Sequence, residues 1–169
     1  MWYVIQVAAC HELEMVNKCR RIAKYGEEVF TMLSERMERR DGEWKTYRNA
    51  TFQKYIFVDT DDPDDFRARL HSVTGMTKML GVGEKVVPIH PKEEEFLKRI
   101  GGADHVIHKA IITCDDGEVV ETSGSLADMK RMIKWIDKRQ RLIGLSVDFL
   151  NKETVIKLAA EFRDRDTKN

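Results

Sequence analysis

At 169 residues the chain has room for one domain or two small ones. Its 29 Lys and Arg balance 29 Asp and Glu, so bulk charge neither demands nor excludes a nucleic-acid partner, and local patches must decide. No apolar run approaches membrane-spanning length, Met1-Trp2-Tyr3 leads into a strand pattern rather than a signal peptide, and three widely spaced cysteines (Cys10, Cys19, Cys114) suit reduced thiols in a cytoplasm.

Trp2 to Ala8 reads as a short apolar strand, and His11 to about Lys24 as a helix with Leu13, Val16 and Ile22-Ala23 on one stripe. Acids open that helix, and Lys18, Arg20, Arg21 and Lys24 close it as the helix dipole prefers. Val29 to Met37 is expected as a strand, Asp41-Gly42 as the positive-φ tip of a hairpin, and Trp44 to Ala50 as the returning strand. Phe52 to Val58 is expected as the central strand, with Tyr55 and Phe57 on one face and Ile56 and Val58 on the other. Asp61-Asp62-Pro63 caps a helix through about His71, with Phe66 and Leu70 inward. Val73 to Leu80, a tight turn at Gly81 to Lys85, and Val86 to Ile89 follow. Pro91 starts a helix over 92–100 that Gly101-Gly102 ends.

This order is the split β-α-β pattern, an antiparallel sheet with helices on one face, which leaves the face of Tyr55 and Phe57 uncovered. From Val106 onward, five short strands with tight turns suit a small SH3-like β-barrel, so the fold class is α+β. The expected division is 1–101 for the first domain, 102–106 for a linker, 107–163 for the barrel and 164–169 for a frayed tail.

The chemistry of enzymes is missing. There is no C-x-x-C, no H-E-x-x-H and no Gly-rich phosphate loop, and no nucleophile stands near a base. His105 and His108 fall three apart, with no cysteine or carboxylate in register, so no metal site or cofactor is expected. A binding protein remains.

Several segments, in order, resemble NusG-type transcription elongation factors. Trp2-Tyr3-Val4-Ile5-Gln6 is similar to their Trp-Tyr-x-x-Gln start, and Phe52-Gln53-Lys54-Tyr55-Ile56-Phe57-Val58 to their Phe-Pro-Gly-Tyr strand. Gly75 to Gly83 with Val87-Pro88-Ile89 resembles their Gly-Val…Gly…Pro segment. Gly124-Ser125-Leu126, Ile133 to Asp137 and Arg141 resemble their C-terminal KOW domain. Gln53-Lys54 replaces Pro-Gly, Cys10 and Asp128 stand where that pattern has glycine, as does Arg131, and Ser125 replaces Pro. Phe57 and the lack of an acidic lead-in favour a specialised paralogue of the LoaP or RfaH kind.

The resemblance implies a monomeric cytoplasmic antitermination factor. Gln6, Phe52, Tyr55, Phe57 and Val82 would grip the β′ clamp helices of RNA polymerase, and Leu150 would be a loop-tip contact for ribosomal protein S10 or Rho. A specialised paralogue needs recruitment by leader RNA or DNA, for which Lys18, Arg21, Lys24, Arg39, Arg40, Lys45 and Arg48 are the candidate surface. The alternatives are a housekeeping factor and a ribosome-associated RNA-binding KOW protein.

Overall fold

The computed structural model describes residues 1–165. In chain order its elements begin with β1 (Trp2–Val7), α1 (Glu12–Arg20), β2 (Glu28–Phe30), β3 (Leu33–Arg40), β4 (Glu43–Ala50), β5 (Tyr55–Asp59) and α2 (Pro63–Leu70). Then come β6 (Thr77–Met79), β7 (Gly81–Val82), β8 (Lys85–Val86), α3 (Pro91–Gly101) and β9 (Val106–Ile107). The last are β10 (Ala110–Asp115), β11 (Glu118–Ser123), β12 (Ile133–Asp137), β13 (Leu142–Phe149) and β14 (Lys152–Asp164). No helix among the described residues is long and apolar enough to cross a membrane.

The chain divides into two compact units. One comprises Met1–Met32 with Ala50–Phe96, the other Leu33–Asn49 with the chain from Leu97 on. This differs from a linear division near residue 101. The single strand expected over 29–37 is broken at Thr31-Met32: β2 pairs with β5 in the first unit, while β3 pairs in parallel with β9 in the second, Leu33 opposite Val106. The β3–β4 hairpin therefore belongs with the C-terminal unit.

The first unit is an antiparallel sheet in the order β2-β5-β1-β6. Alternation assigns its two faces. Tyr3, Ile5, Val7, Val29, Ile56 and Val58 pack with Met15, Val16 and Cys19 of α1 and Phe66 and Leu70 of α2 in one apolar core. The α2 terminus matches the sequence expectation: Pro63 stands in the first turn and the Asp62 carboxylate accepts the Asp65 N–H at 3.1 Å. In α1, Leu13 is exposed rather than inward, and Glu12 takes the buried place because its carboxylate accepts the Lys54 N–H at 2.8 Å. α3 ends as expected, with Gly102 at φ 59° and its N–H bonded to the Lys98 carbonyl.

The second unit carries a five-stranded sheet, β11-β10-β14-β13-β12, the expected small β-barrel, together with the sheet β4-β3-β9. β14 is longer than anticipated. Arg163 and Asp164 stay in the strand, and the Arg165 N–H reaches the Cys114 carbonyl at 2.8 Å; the rest of the expected frayed tail, 166–169, lies outside the described residues. Ile112, Ile143, Leu145 and Leu158 fill the interior. On the outer side the Trp135 indole rests on Gly144, where a Cβ would come within 2.3 Å of the ring. Gly144→Ala should therefore displace Trp135 and lower stability by about 1–3 kcal/mol, read as a fall in melting temperature with a changed near-ultraviolet tryptophan signal.

Candidate functional site

The sheet face opposite the helices is aromatic. Trp2 from β1, Phe30 from β2, Phe57 from β5 and Phe52 from the preceding loop form one cluster. Phe30 and Phe57 stack at 5.4 Å, Trp2 meets Phe30 edge-on at 4.7 Å, and Phe52 meets Phe57 edge-on at 6.2 Å. Register explains it: Phe30 and Val4 flank Phe57 on neighbouring strands. Phe57 is 0% exposed and Phe52 is buried too, so the expectation of an uncovered face does not hold for them; both are locked among rings. The face opens one register step along, where Gln6 is paired with Tyr55, Gln6 exposed and Tyr55 half-buried.

Val82 does not join this group. It is 78% exposed in the β7–β8 hairpin, whose Glu84 carbonyl accepts a hydrogen bond from Arg67 of α2. Trp2 and Phe30 are the members that sequence reasoning missed. Alternation along Trp2-Tyr3-Val4 puts Trp2 on the face of Phe57, and the break at Thr31 hid the role of Phe30.

The basic residues separate between the units. Lys18, Arg21 and Lys24 belong to the first. Lys18 pairs with Glu14 at 2.7 Å and donates to the Thr74 carbonyl, and Lys24 pairs with Asp65 at 2.7 Å. Asp65 also binds Arg69, which holds Glu27 at 2.7 Å; burial pushes the Glu27 carboxyl up, but Arg69 and the Lys24 N–H hold it below its ordinary value. Arg21 has no ion-pair partner among the described residues.

Arg39, Arg40, Lys45 and Arg48 lie on the β3–β4 hairpin, whose tip is Asp41 (φ 53°) and Gly42 (φ 82°), as expected. Arg40 pairs with Glu38 at 2.8 Å, the Arg39 Nε donates to the Gly42 carbonyl at 3.4 Å, and Arg48 stands 3.9 Å from Glu35. Lys45 is exposed with no described partner. Trp44 lies 4.5 Å beneath the Arg141 guanidinium, a cation–π contact in the second unit.

Leu150 and Asn151 are the two-residue turn between β13 and β14, at φ 54° and 59°, beyond the pair Phe149–Lys152. Leucine is costly in this left-handed conformation, and here it leaves a half-buried apolar side chain at the hairpin tip.

His108 does meet carboxylates, contrary to the sequence expectation. Glu35 on β3 lies 3.0 Å from Nδ1 and Asp104 lies 2.9 Å from Nε2, while the Lys109 N–H donates to Glu35 at 2.7 Å. The fold brings Glu35 to His108 across 73 residues. Both ring nitrogens are engaged, and no metal-holding group of His, Cys, Asp and Glu occurs among the described residues. Hydrogen bonds to Glu35 and Asp104 raise the His108 pKa above its ordinary value. Glu35 and Asp104 are held low: burial acts to raise each, and their hydrogen-bond partners outweigh it.

A raised histidine stabilises the fold below its ordinary pKa, about 6.5, and loses that contribution as pH rises through the raised value; the two carboxylates lose theirs as pH falls through their depressed values. The clasp is therefore complete between the ordinary carboxylate range and about pH 6.5. In urea titrations, His108→Gln should be destabilising by on the order of 0.5 kcal/mol near pH 6, as a half-exposed site allows, and the difference should shrink as pH rises through the raised histidine value.

Comparisons with known proteins agree with this architecture. The protein-family model described as "Transcription termination factor nusG" matches residues 1–98. The chain is 24% identical over 172 aligned positions to the transcription termination/antitermination protein NusG of Thermus thermophilus, covering 93% of this chain and 94% of that one. A solved structure described as "Domain interaction in Thermotoga maritima NusG" superposes with a TM-score of 0.53 at 17% identity, over 94% of this chain and 92% of that one.

Proposed function

Because the chain belongs to the NusG family of transcription factors, we propose that it is a cytoplasmic elongation and antitermination factor that binds the β′ clamp helices of RNA polymerase through the sheet face of Gln6, Tyr55, Phe52 and Phe57. The observation that carries this reading is the pairing of exposed Gln6 with half-buried Tyr55 beside the aromatic cluster of β1 and β5, inside the segment the family model matches. Gln6 and Tyr55 form its accessible edge. Phe52 and Phe57 are buried behind that edge and hold it in place rather than meeting the partner themselves. Nothing is catalysed by the chain's own residues. It favours elongation by stabilising one state of its partner, holding the clamp against opening.

As a specialised paralogue it is recruited by a leader RNA or a single DNA strand at the basic hairpin of Arg39, Arg40, Lys45 and Arg48, with Lys18, Arg21 and Lys24 of α1 as a second basic surface. Lys18 and Lys24 are already paired, which leaves Arg21 alone on that surface, whereas on the hairpin Lys45 is exposed without an ion-pair partner among the described residues and Arg48 stands 3.9 Å from the Glu35 carboxylate, so the hairpin is the stronger surface.

In binding measurements with a clamp-helix fragment, Tyr55→Ala in the full chain should weaken association by about 2 kcal/mol, roughly thirtyfold, with circular dichroism unchanged. Unchanged affinity in the folded variant would reject this face.

A housekeeping-type contact with ribosomal protein S10 or Rho is favoured by Leu150, whose left-handed backbone is a local cost kept at a hairpin tip. Leu150→Asn should raise the melting temperature, by up to about 1 kcal/mol of stability, while weakening S10 or Rho capture. A stabilised variant that captures either partner normally would remove Leu150 from the interface.

A further inference from the structure

Arg36 is a half-buried guanidinium without an anion. Its Nε is buried with no hydrogen-bond partner, and Arg36 forms no ion pair among the described residues. Burial pushes its pKa below the ordinary arginine value, and Tyr47 only partly offsets this. An unpaired, partly desolvated cation is destabilising, and a methionine of similar length would fill the place without that cost. The surrounding charges leave it unpaired. Its neighbour Glu35 points to the other face, towards His108 and Lys109, and Glu38, on the Arg36 face by alternation, is engaged by Arg40 at 2.8 Å. The two-residue Asp41-Gly42 turn sets Arg40 opposite Glu43 and so Arg36 opposite Tyr47, which is 40% exposed, and Lys45, two residues away on the same strand face, is exposed without a described partner.

We propose that Arg36 and Tyr47 form a clip for one nucleotide of a single-stranded nucleic acid, the guanidinium taking the phosphate through its donor fork, the ring stacking on the base, and Lys45 holding the next phosphate. The planar fork suits a phosphate and a carboxylate equally. The ring beside it decides between them, because a base has a face to stack and an acidic side chain has none. The inference rests on the reading of this chain as a nucleic-acid-recruited polymerase partner, and it adds to the hairpin a residue that charge patterning did not select.

The test is fluorescence anisotropy of the full chain with a labelled oligouridylate and the matching oligothymidylate, each about a dozen nucleotides long. Arg36→Gln and Tyr47→Ala should each weaken binding about tenfold or more, Tyr47→Phe should bind as wild type, and Lys45→Gln should lower the salt slope by about one. Arg36→Met should melt higher than wild type and still lose binding, a combination that a purely structural arginine would not give. Preference for one oligonucleotide identifies RNA or DNA as the natural strand. Wild-type affinity in both Arg36 variants overturns the proposal, as does a wild type that binds neither strand or binds only an oligoglutamate peptide. The same samples are assayed against the clamp-helix fragment. Clamp binding with no Arg36-dependent oligonucleotide binding fails the clip alone, whereas loss of clamp binding by the wild type fails the family-based reading beneath it.

Discussion

The first unit depends on the pairing of β5 with strands on both sides, β1 and β2. A strand hydrogen-bonded along both edges has nothing left to vary except which side chains point up and which point down. Ile56 and Val58 are thereby committed to the helix-covered core, and Tyr55 and Phe57 to the opposite face. A slip of one residue would drive Tyr55 and Phe57 into the aliphatic core and put Ile56 and Val58 among the rings, so both faces resist it. The rigidity of the aromatic face is a consequence of this double pairing, and a rigid face presents a fixed shape to a partner.

Three places where the family pattern has glycine show how backbone can outlast the residue that suits it best. Cys10, Lys54 and Asp128 all adopt left-handed conformations, at φ 66°, 71° and 63°. A side chain there costs on the order of 1 kcal/mol relative to glycine. At Lys54 the compensation is visible: its N–H is held by Glu12 and its carbonyl accepts the Val7 N–H at 2.8 Å, so the turn into β5 is fixed from both sides. That explains why Glu12 is buried at the start of α1 while Leu13 faces outward. Arg131 behaves differently: it sits in a short 3-10 turn and needs no left-handed backbone.

Local features were legible in the sequence because local chemistry sets them. The Asp62-Pro63 helix start, the Asp41-Gly42 tip, the Gly102 stop and the alternation of β5 each follow from a few adjacent residues. What could not be read depends on pairing across distance. The break at Thr31-Met32 is invisible in composition, since residues 29 to 37 alternate acceptably as one strand, and only the competing partners, β5 for one half and β9 for the other, divide them. The same holds at the sites. The family resemblance brought Tyr55 and Gln6 together, whereas the enclosure of Phe57 by Trp2 and Phe30 required the register, and of the two carboxylates around His108 Asp104 is local but Glu35 comes from 73 residues away. Charge was the least legible property: seven basic residues looked equivalent, yet salt bridges occupy several of them, and Arg36, which no pattern selected, is left without one.

The hairpin's membership in the C-terminal unit changes how the chain must be thought of as a machine. The path crosses from one unit to the other after Met32, returns at Ala50, and crosses again within α3, so no single cut separates them. The β3–β4 strands are tied into the second unit by parallel pairing to β9, by the Glu35–His108 clasp and by Trp44 beneath Arg141. The two faces of this ribbon then divide the labour. Glu35 on β3 is spent on structure and Trp44 on β4 on the Arg141 contact, while alternation turns Arg36 on one strand and Lys45 and Tyr47 on the other away from those contacts. A ribbon anchored by one face can carry an unpaired cation on the other without losing its fold, because the cost is borne by contacts that the cation does not share.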